Sequence, residues 1–242
     1  FIRGNCFLPD PRKGWNKQAT ALANKLLQSK DWDLIITTGP PHSTHLIGQT
    51  LQKTHGITWW ADFRDPWTDI YYYDQFYPTR WARRKDMAME QSVLSQADRI
   101  LCVSEDLKRL LSSKVKRSSN DFHIMPNGYD PQDFSDAASQ PSNEAFTLAY
   151  TGTLTLQYPL DALYKAIQGV IDASQAINLV IAGRPAKECV DQLQQMARVS
   201  NGLFSFKALG YLPHAESVKV LERADALLLL IPDLPNNKGI LT

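Results

Sequence analysis

The sequence predicts an α/β fold made of two doubly wound half-domains, each a mostly parallel sheet, facing one another across a cleft. Three observations carry this. Short β-branched or aromatic runs alternate with longer helix-like segments along the whole chain. Most short runs end at a glycine, proline or capping residue, the punctuation expected where a strand hands over to a helix. The rhythm breaks once, at Ser135–Glu144, a small and polar stretch with the composition of a linker, and then restarts.

In the first half, Asp33–Thr38 reads as a strand ending at Gly39-Pro40-Pro41, and His42–His55 as the helix after it. Ile57–Phe63 is the next strand. Thr79–Gln96 carries a long helical pattern, with Trp81, Met87, Met89, Val93 and Leu94 spaced among charges. Arg99–Val103 is a strand, Ser104 an N-cap and Glu105–Leu111 a helix. Phe122–Met125 is a strand running into Pro126-Asn127-Gly128.

In the second half, Phe146–Tyr150 is a strand, Thr151-Gly152-Thr153 a turn and Leu160–Ser174 a helix. Asn178–Ala182 is a strand ending at Gly183-Arg184-Pro185, and Ala186–Val199 a helix. Leu203–Leu209 is a strand and Gly210-Tyr211-Leu212 a loop. His214–Arg223 is a helix and Ala226–Ile231 a strand. The expected domains are therefore 1–139 and 140–242. In such sheets, with helices on both faces, ligands bind beyond the strand C-termini. The residues after Thr38, Phe63, Val103 and Met125 should share one rim.

Composition narrows the function. The 242 residues carry 26 Lys+Arg and 25 Asp+Glu, so bulk electrostatic binding to nucleic acid is excluded. No apolar run approaches the roughly 20 residues of a transmembrane helix, and no secretory signal is present. The three cysteines, Cys6, Cys102 and Cys189, are scattered. That argues against a disulfide framework or zinc cluster and for a reducing cytoplasm. The chain opens on Phe1 and stops at Thr242 just after an apolar strand, so it reads as a fragment of a longer protein. The G-x-G-x-x-G, P-loop and G-x-S-x-G signatures do not occur.

Four local features carry chemistry. Ten aromatic residues fall between Trp59 and Trp81. A strand buries Trp59, Trp60 and Phe63, while the rings after Arg64-Asp65-Pro66, Trp67 among them, form either a mobile sugar-gripping loop or a satellite core. Asp62 and Asp65 flank Arg64, whose charge should keep both carboxylates ionised for hydroxyl recognition or proton handling. His42 and His45 lie three apart, but with no third ligand at a telling distance they are not read as a metal site. The helix N-terminus there, with Ser43, Thr44 and free backbone N–H groups, suits an anion or hydroxyl better. Gly152 and Thr153, and Gly183 with Arg184, follow strands and suit close approach of a phosphate.

Taken in order, Thr38-Gly39-Pro40-Pro41-His42-Ser43, Ala61-Asp62-Phe63-Arg64-Asp65-Pro66-Trp67, Val103-Ser104-Glu105, Pro126-Asn127-Gly128-Tyr129-Asp130, Tyr150-Thr151-Gly152-Thr153-Leu154 and Leu209-Gly210-Tyr211-Leu212 resemble the family-4 glycosyltransferases of GT-B fold, within them the bacterial group with a "DFRDPW" segment. The resemblance covers nearly the whole chain. It implies two Rossmann-like half-domains, truncated here, that transfer a sugar from a nucleotide-sugar donor to a saccharide or lipid-linked acceptor hydroxyl. Configuration would be retained, without metal or cofactor. The acceptor would lie against 1–139, with Asp65, Asp62 and Arg64 catalytic and His42, Ser43, Trp67, Ser104 and Asn127 around it. The donor would lie against 140–242, on Gly152, Thr153, Arg184, Leu209, Tyr211 and Lys238. The setting implied is cytoplasmic, in bacterial cell-envelope polysaccharide biosynthesis, with room for peripheral contact at the inner face of the membrane.

Two departures stand out. Thr153 and Tyr158 occupy positions where many members carry a phosphate-neutralising Arg and Lys, for which Arg184 and Lys238 would substitute. The family's glycine-rich first loop and its donor-sugar carboxylate segment are not in this sequence. They keep open a second reading, a non-catalytic carbohydrate- or protein-binding member of the same fold. A third, a sugar-phosphate epimerase, would need acid/base carboxylates in the cleft that the sequence does not assign.

Overall fold

The computed structural model describes residues 1–134 and 145–231; the Ser135–Glu144 linker and Lys238 lie outside the described residues. The chain divides into two compact units, one over Phe1–Gly128 and one beginning at Tyr129.

The first unit opens with a short helix, α1 (Ile2–Cys6), and a longer one, α2 (Asn16–Ser29). Its sheet is parallel and runs in sequential order through β1 (Leu34–Gly39), β2 (Thr58–Phe63), β3 (Arg99–Cys102) and β4 (Phe122–Ile124). The connecting helices are α3 (Ser43–His55), α4 (Arg80–Gln96) and α5 (Glu105–Ser112). Because the order never reverses, right-handed crossovers put all three on one face. The buried cluster agrees. Trp59, Ala61, Phe63, Ile100, Cys102 and Phe122 alternate to one side of the strands and meet Val93 and Leu94 of α4 and Leu107 and Leu111 of α5. Helix α3 approaches closely because Gly48 leaves space for the Trp59 indole; a Cβ there would lie 2.1 Å from Trp59 Nε1.

The second unit contains β5 (Phe146–Leu154), α6 (Leu160–Asp172), β6 (Ile177–Pro185), α7 (Lys187–Val199), β7 (Phe204–Gly210), α8 (His214–Glu222) and β8 (Ala226–Leu227). The strands are parallel in the order β7-β6-β5-β8. Leu163 and Ile167 of α6 and Leu193 and Met196 of α7 bury Leu179 and Ile181 of β6. The order reverses at β5, so the crossover through α8 falls on the opposite face. Helices on both faces, expected of both sheets, are thus a property of the second; among the described residues the first sheet has its helices on one side.

Several boundaries differ from the sequence reading. Thr151-Gly152-Thr153 and Gly183-Arg184-Pro185 are the last residues of β5 and β6, not turns after them. Gly152 and Gly183 pair directly, with φ of 137° and 142°, and this keeps the two backbones together past the expected ends. Of the expected strand Ala226–Ile231, only Ala226 and Leu227 pair with β5. Helix α2 has no counterpart in the sequence reading, and none of its residues is buried. Thr79 and Ser104 are N-caps, accepting from the N–H of Ala82 at 3.2 Å and of Leu107 at 3.2 Å.

Candidate functional sites on the two sheet rims

In the first unit the segment after β2 is held down by buried carboxylates on α4. Asp86 is 2% exposed and accepts hydrogen bonds from Trp67 Nε1 at 2.7 Å and from the Tyr73 hydroxyl at 2.9 Å. Burial pushes its pKa up to about 6, against the pull of those two hydrogen bonds. One turn on, Glu90 is 1% exposed and receives Lys114 Nζ at 2.7 Å; Lys114 also pairs with Asp69, and Thr68 donates to Glu90 at 2.6 Å. Trp67 and Tyr73 are therefore buried, which is the satellite core of the two alternatives the sequence leaves open for them. Tyr72 packs edge-on against Tyr71 and Phe76, while Tyr77 is exposed.

Trp67, Tyr72, Tyr73 and Phe76 line a pocket of about 340 Å³, completed by residues of the 3–12 segment, the Pro40-Pro41 turn and His42. His42 stacks on Trp67 with centroids 4.9 Å apart and planes within 6°. Desolvation lowers its pKa to about 4, against the opposing influence of Asp10 and the Pro66 backbone, so it is neutral at pH 7. Its Nδ1 has no hydrogen-bond partner. The polar groups on this wall also include Asp10 and Asp86, neither of which the sequence reading singled out. Asp86 had a legible signal: Ala82, Asp86, Glu90 and Val93 fall on one stripe of α4, and all are buried.

The helix N-terminus expected to be open is filled. Asp10 receives the Ser43 N–H at 2.8 Å and the Ser43 hydroxyl at 3.0 Å, and Ser43 is fully buried. An internal carboxylate occupies the place assigned to an external anion. His45, also fully buried, stacks on Phe63 at 4.5 Å and lies 2.9 Å from Thr37 Oγ1, which accepts the Trp59 indole N–H.

Asp62, Arg64 and Asp65 lie at the end of β2, off the walls of the pocket. Arg64 Nε pairs with Asp62 at 3.3 Å, its guanidinium donates to the Met125 carbonyl at 3.0 Å, and its backbone N–H donates to the Gly39 carbonyl at 2.9 Å. The expected ion pair thus forms with Asp62 and not with Asp65. It also fails to hold either carboxyl low. Desolvation raises Asp62 despite Arg64 and Thr38, and raises Asp65 as well. Ser104 faces its own helix as a cap, and Asn127 is exposed beyond β4.

The rim of the second unit is a shallow groove at the ends of β5 and β6. Gly152, Thr153, Arg184 and Tyr211, all assigned from the sequence, line it together with Gly183. Leu209 lies in β7, half-buried, and is not among the lining residues. No side chain fits at Gly183, whose Cβ would lie 1.9 Å from the Gly152 carbonyl oxygen. The Arg184 guanidinium sits 5.8 Å from the Tyr211 ring centroid, and Tyr211 is 77% exposed. Among the described residues no three His, Cys, Asp or Glu side chains are grouped to hold a metal, and no helix is long and apolar enough to cross a membrane.

Two parallel α/β sheets with ligand-sized depressions at their C-terminal rims define the class: the fold is that of the GT-B glycosyltransferases. The profile of Glycosyltransferase Family 4 matches residues 2–133, and the chain belongs to that family. Among solved structures it is similar to the lipopolysaccharide outer core galactosyltransferase WaaB, with TM-score 0.55 and 15% identity over 90% of this chain and 55% of that one. It is similar to HepE from Anabaena in complex with UDP and glucose, with TM-score 0.54 and 12% identity over 88% and 56%. A third is the catalytic domain of starch synthase IV from Arabidopsis thaliana bound to ADP and acarbose, with TM-score 0.57 and 10% identity over 89% and 55%. The chain thus spans little more than half the length of these structures. No curated protein matches its sequence.

Proposed function

We propose that the protein is a glycosyltransferase that moves a sugar from a nucleotide-sugar donor to an acceptor hydroxyl, with retention and without metal. The observation that carries this is the glycine-lined groove of the second unit. It lies beside the point where the strand order reverses at β5, the place where open parallel sheets receive ligands. Gly152 and Gly183 leave backbone accessible, Arg184 supplies a cation and Tyr211 an exposed ring face. These are the groups that a diphosphate and a base need. UDP and ADP, bound in two of the similar structures, are consistent with that donor class.

On this reading 140–242 is the donor side and 1–139 the acceptor side. The aromatic pocket receives a saccharide or lipid-linked acceptor, and Asp65, Asp62 and Arg64 serve the chemistry. Desolvation raises both carboxyl pKa values, the direction that favours taking up a proton from an acceptor hydroxyl. The protein works in the bacterial cytoplasm, at the inner membrane face, in cell-envelope polysaccharide assembly.

Calorimetric titration of UDP, ADP and GDP tests the donor side. One of them should bind, and Arg184→Ala should weaken it about 10-fold to 100-fold, the value of a charged hydrogen bond. Lys238→Ala reads the second cation in the same way. No nucleotide binding in any protein would favour the non-catalytic reading, for which the Thr153 and Tyr158 departures speak. Asp65→Ala in the full-length protein should lower turnover more than stability.

A further inference from the structure

In the second unit, β7 breaks step with its neighbour just before it reaches the groove. It pairs with β6 as far as Ala208 opposite Ile181, but Gly210 then stands opposite Ala182. Leu209 is therefore an extra residue without a partner on β6, a β-bulge. Gly210 has a φ of 72°, in the left-handed region that glycine enters freely and a β-branched residue avoids. β7 ends there, while β5 and β6 go on pairing to Leu154 and Pro185. The β7 side of β6 is thus unpaired from Gly183 onward. The next residue, Tyr211, is turned to solvent, with its ring centroid 5.8 Å from the Arg184 guanidinium. Leu209 is not on the walls of the groove, yet its insertion decides where the chain beside them runs.

We infer that Gly210 is a positioning residue of this groove. Its left-handed backbone ends β7 early, which leaves the Gly183 edge of β6 open and sets the Tyr211 ring beside Arg184. In unbroken register Leu209 would face Ala182, Gly210 would face Gly183 and Tyr211 would be level with Arg184. The strand would then claim the backbone groups that the bulge leaves to a ligand. Lack of space is not what requires glycine here: nothing lies within 4 Å of a Cβ placed on Gly210, whereas one on Gly183 meets the Gly152 carbonyl. The requirement is the backbone angle alone. A residue that tolerates the left-handed region should keep the groove, and one that resists it should not. The ligand concerned is the nucleoside diphosphate of the donor reading, on which that part rests; the place of Tyr211 does not depend on it.

The test compares Gly210→Val with Gly210→Asn, two side chains that meet the same open space but differ in their tolerance of a positive φ. Fluorotyrosine is incorporated, and the Tyr211 fluorine resonance is assigned by its loss in Tyr211→Phe. That resonance should move in Gly210→Val and stay in place in Gly210→Asn. Calorimetric titration with whichever of UDP, ADP and GDP binds the unaltered protein gives the second readout. Gly210→Val should weaken binding about 10-fold, as Tyr211→Ala should, the effect of losing one stacking ring. Gly210→Asn should bind like the unaltered protein. Cooperative thermal unfolding shows that each variant folds; should Gly210→Val not fold, Gly210→Ala carries a milder strain at the same angle and should shift the resonance and the affinity in the same direction. A Tyr211 resonance unmoved by Val and Ala, or Asn as damaging as Val, would overturn the inference. Absence of nucleotide binding in every protein would overturn the donor reading instead, and the fluorine spectra would still decide the role of Gly210.

Discussion

The two rims solve the same geometrical problem in opposite ways. In the first unit the space beyond the strands is occupied by the protein's own polar groups: Asp10 on Ser43, Asp86 on Trp67 and Tyr73, Lys114 on Glu90 and Asp69, and Arg64 on Asp62. In the second unit the equivalent space is bare backbone at two glycines, with Arg184 and Tyr211 turned to solvent beside it. A largely pre-paired rim recognises shape, because most of its charged groups already have partners and little is left to reorganise. A bare rim recognises charge and flatness, because its donors are still unspent. The contrast fits an acceptor held by form on one side and a phosphate-bearing donor on the other.

The largest effect should come from removing the cation under the first rim. Lys114→Ala leaves Glu90 buried without its partner, and the cost should be about 3–5 kcal/mol in denaturant unfolding. A loss under 1 kcal/mol would mean that the rim is not held from beneath.

Closing the second rim comes next. Gly183→Ala drives a Cβ into the Gly152 carbonyl and should cost about 3 kcal/mol. Gly152→Ala meets nothing nearer than Tyr150 at 3.5 Å and carries only the strain of its positive φ, about 1 kcal/mol. Equal costs would show that backbone proximity is not what keeps this groove open.

The comparison is also sharpened through pH. Asp86 titrates at about 6 in the folded protein against an ordinary 3.8, so between those values the folded state binds more protons than the unfolded chain. Stability should fall as pH rises from about 4 to about 6, by about 3 kcal/mol from this group. Asp62 and Asp65 are raised too and add with the same sign. Unfolding of Asp86→Asn across that range should show a flatter profile. An unchanged slope would place the titration elsewhere.

Much of this was legible in the sequence, and the limits have physical causes. The strand-helix alternation was visible because hydrophobic period and turn residues are local signals. Gly152, Thr153 and Arg184 could be placed together because they lie at strand ends of one parallel sheet, which topology brings to a common edge, and Tyr211 joined them through the family resemblance. Asp10 could not be found, since its meaning depends on Ser43, 33 residues away. Helix α2 escaped because it precedes the first strand, outside the strand-helix alternation that marked the others, and it buries none of its residues. The overrun of β5 and β6 escaped because glycine is read as a stop, while two glycines side by side let paired strands continue.

Arg64 joins three strand ends at once: the end of β1 through its backbone N–H, that of β2 through Asp62 and that of β4 through the Met125 carbonyl. A planar fork can brace such a corner, whereas the single ammonium of lysine could not keep the same geometry. The bracing makes this edge of the sheet one mechanical piece. Lengthening any one of its loops would be transmitted to the other two, so change at this edge is more readily accommodated by exchanging side chains on a fixed frame than by inserting residues.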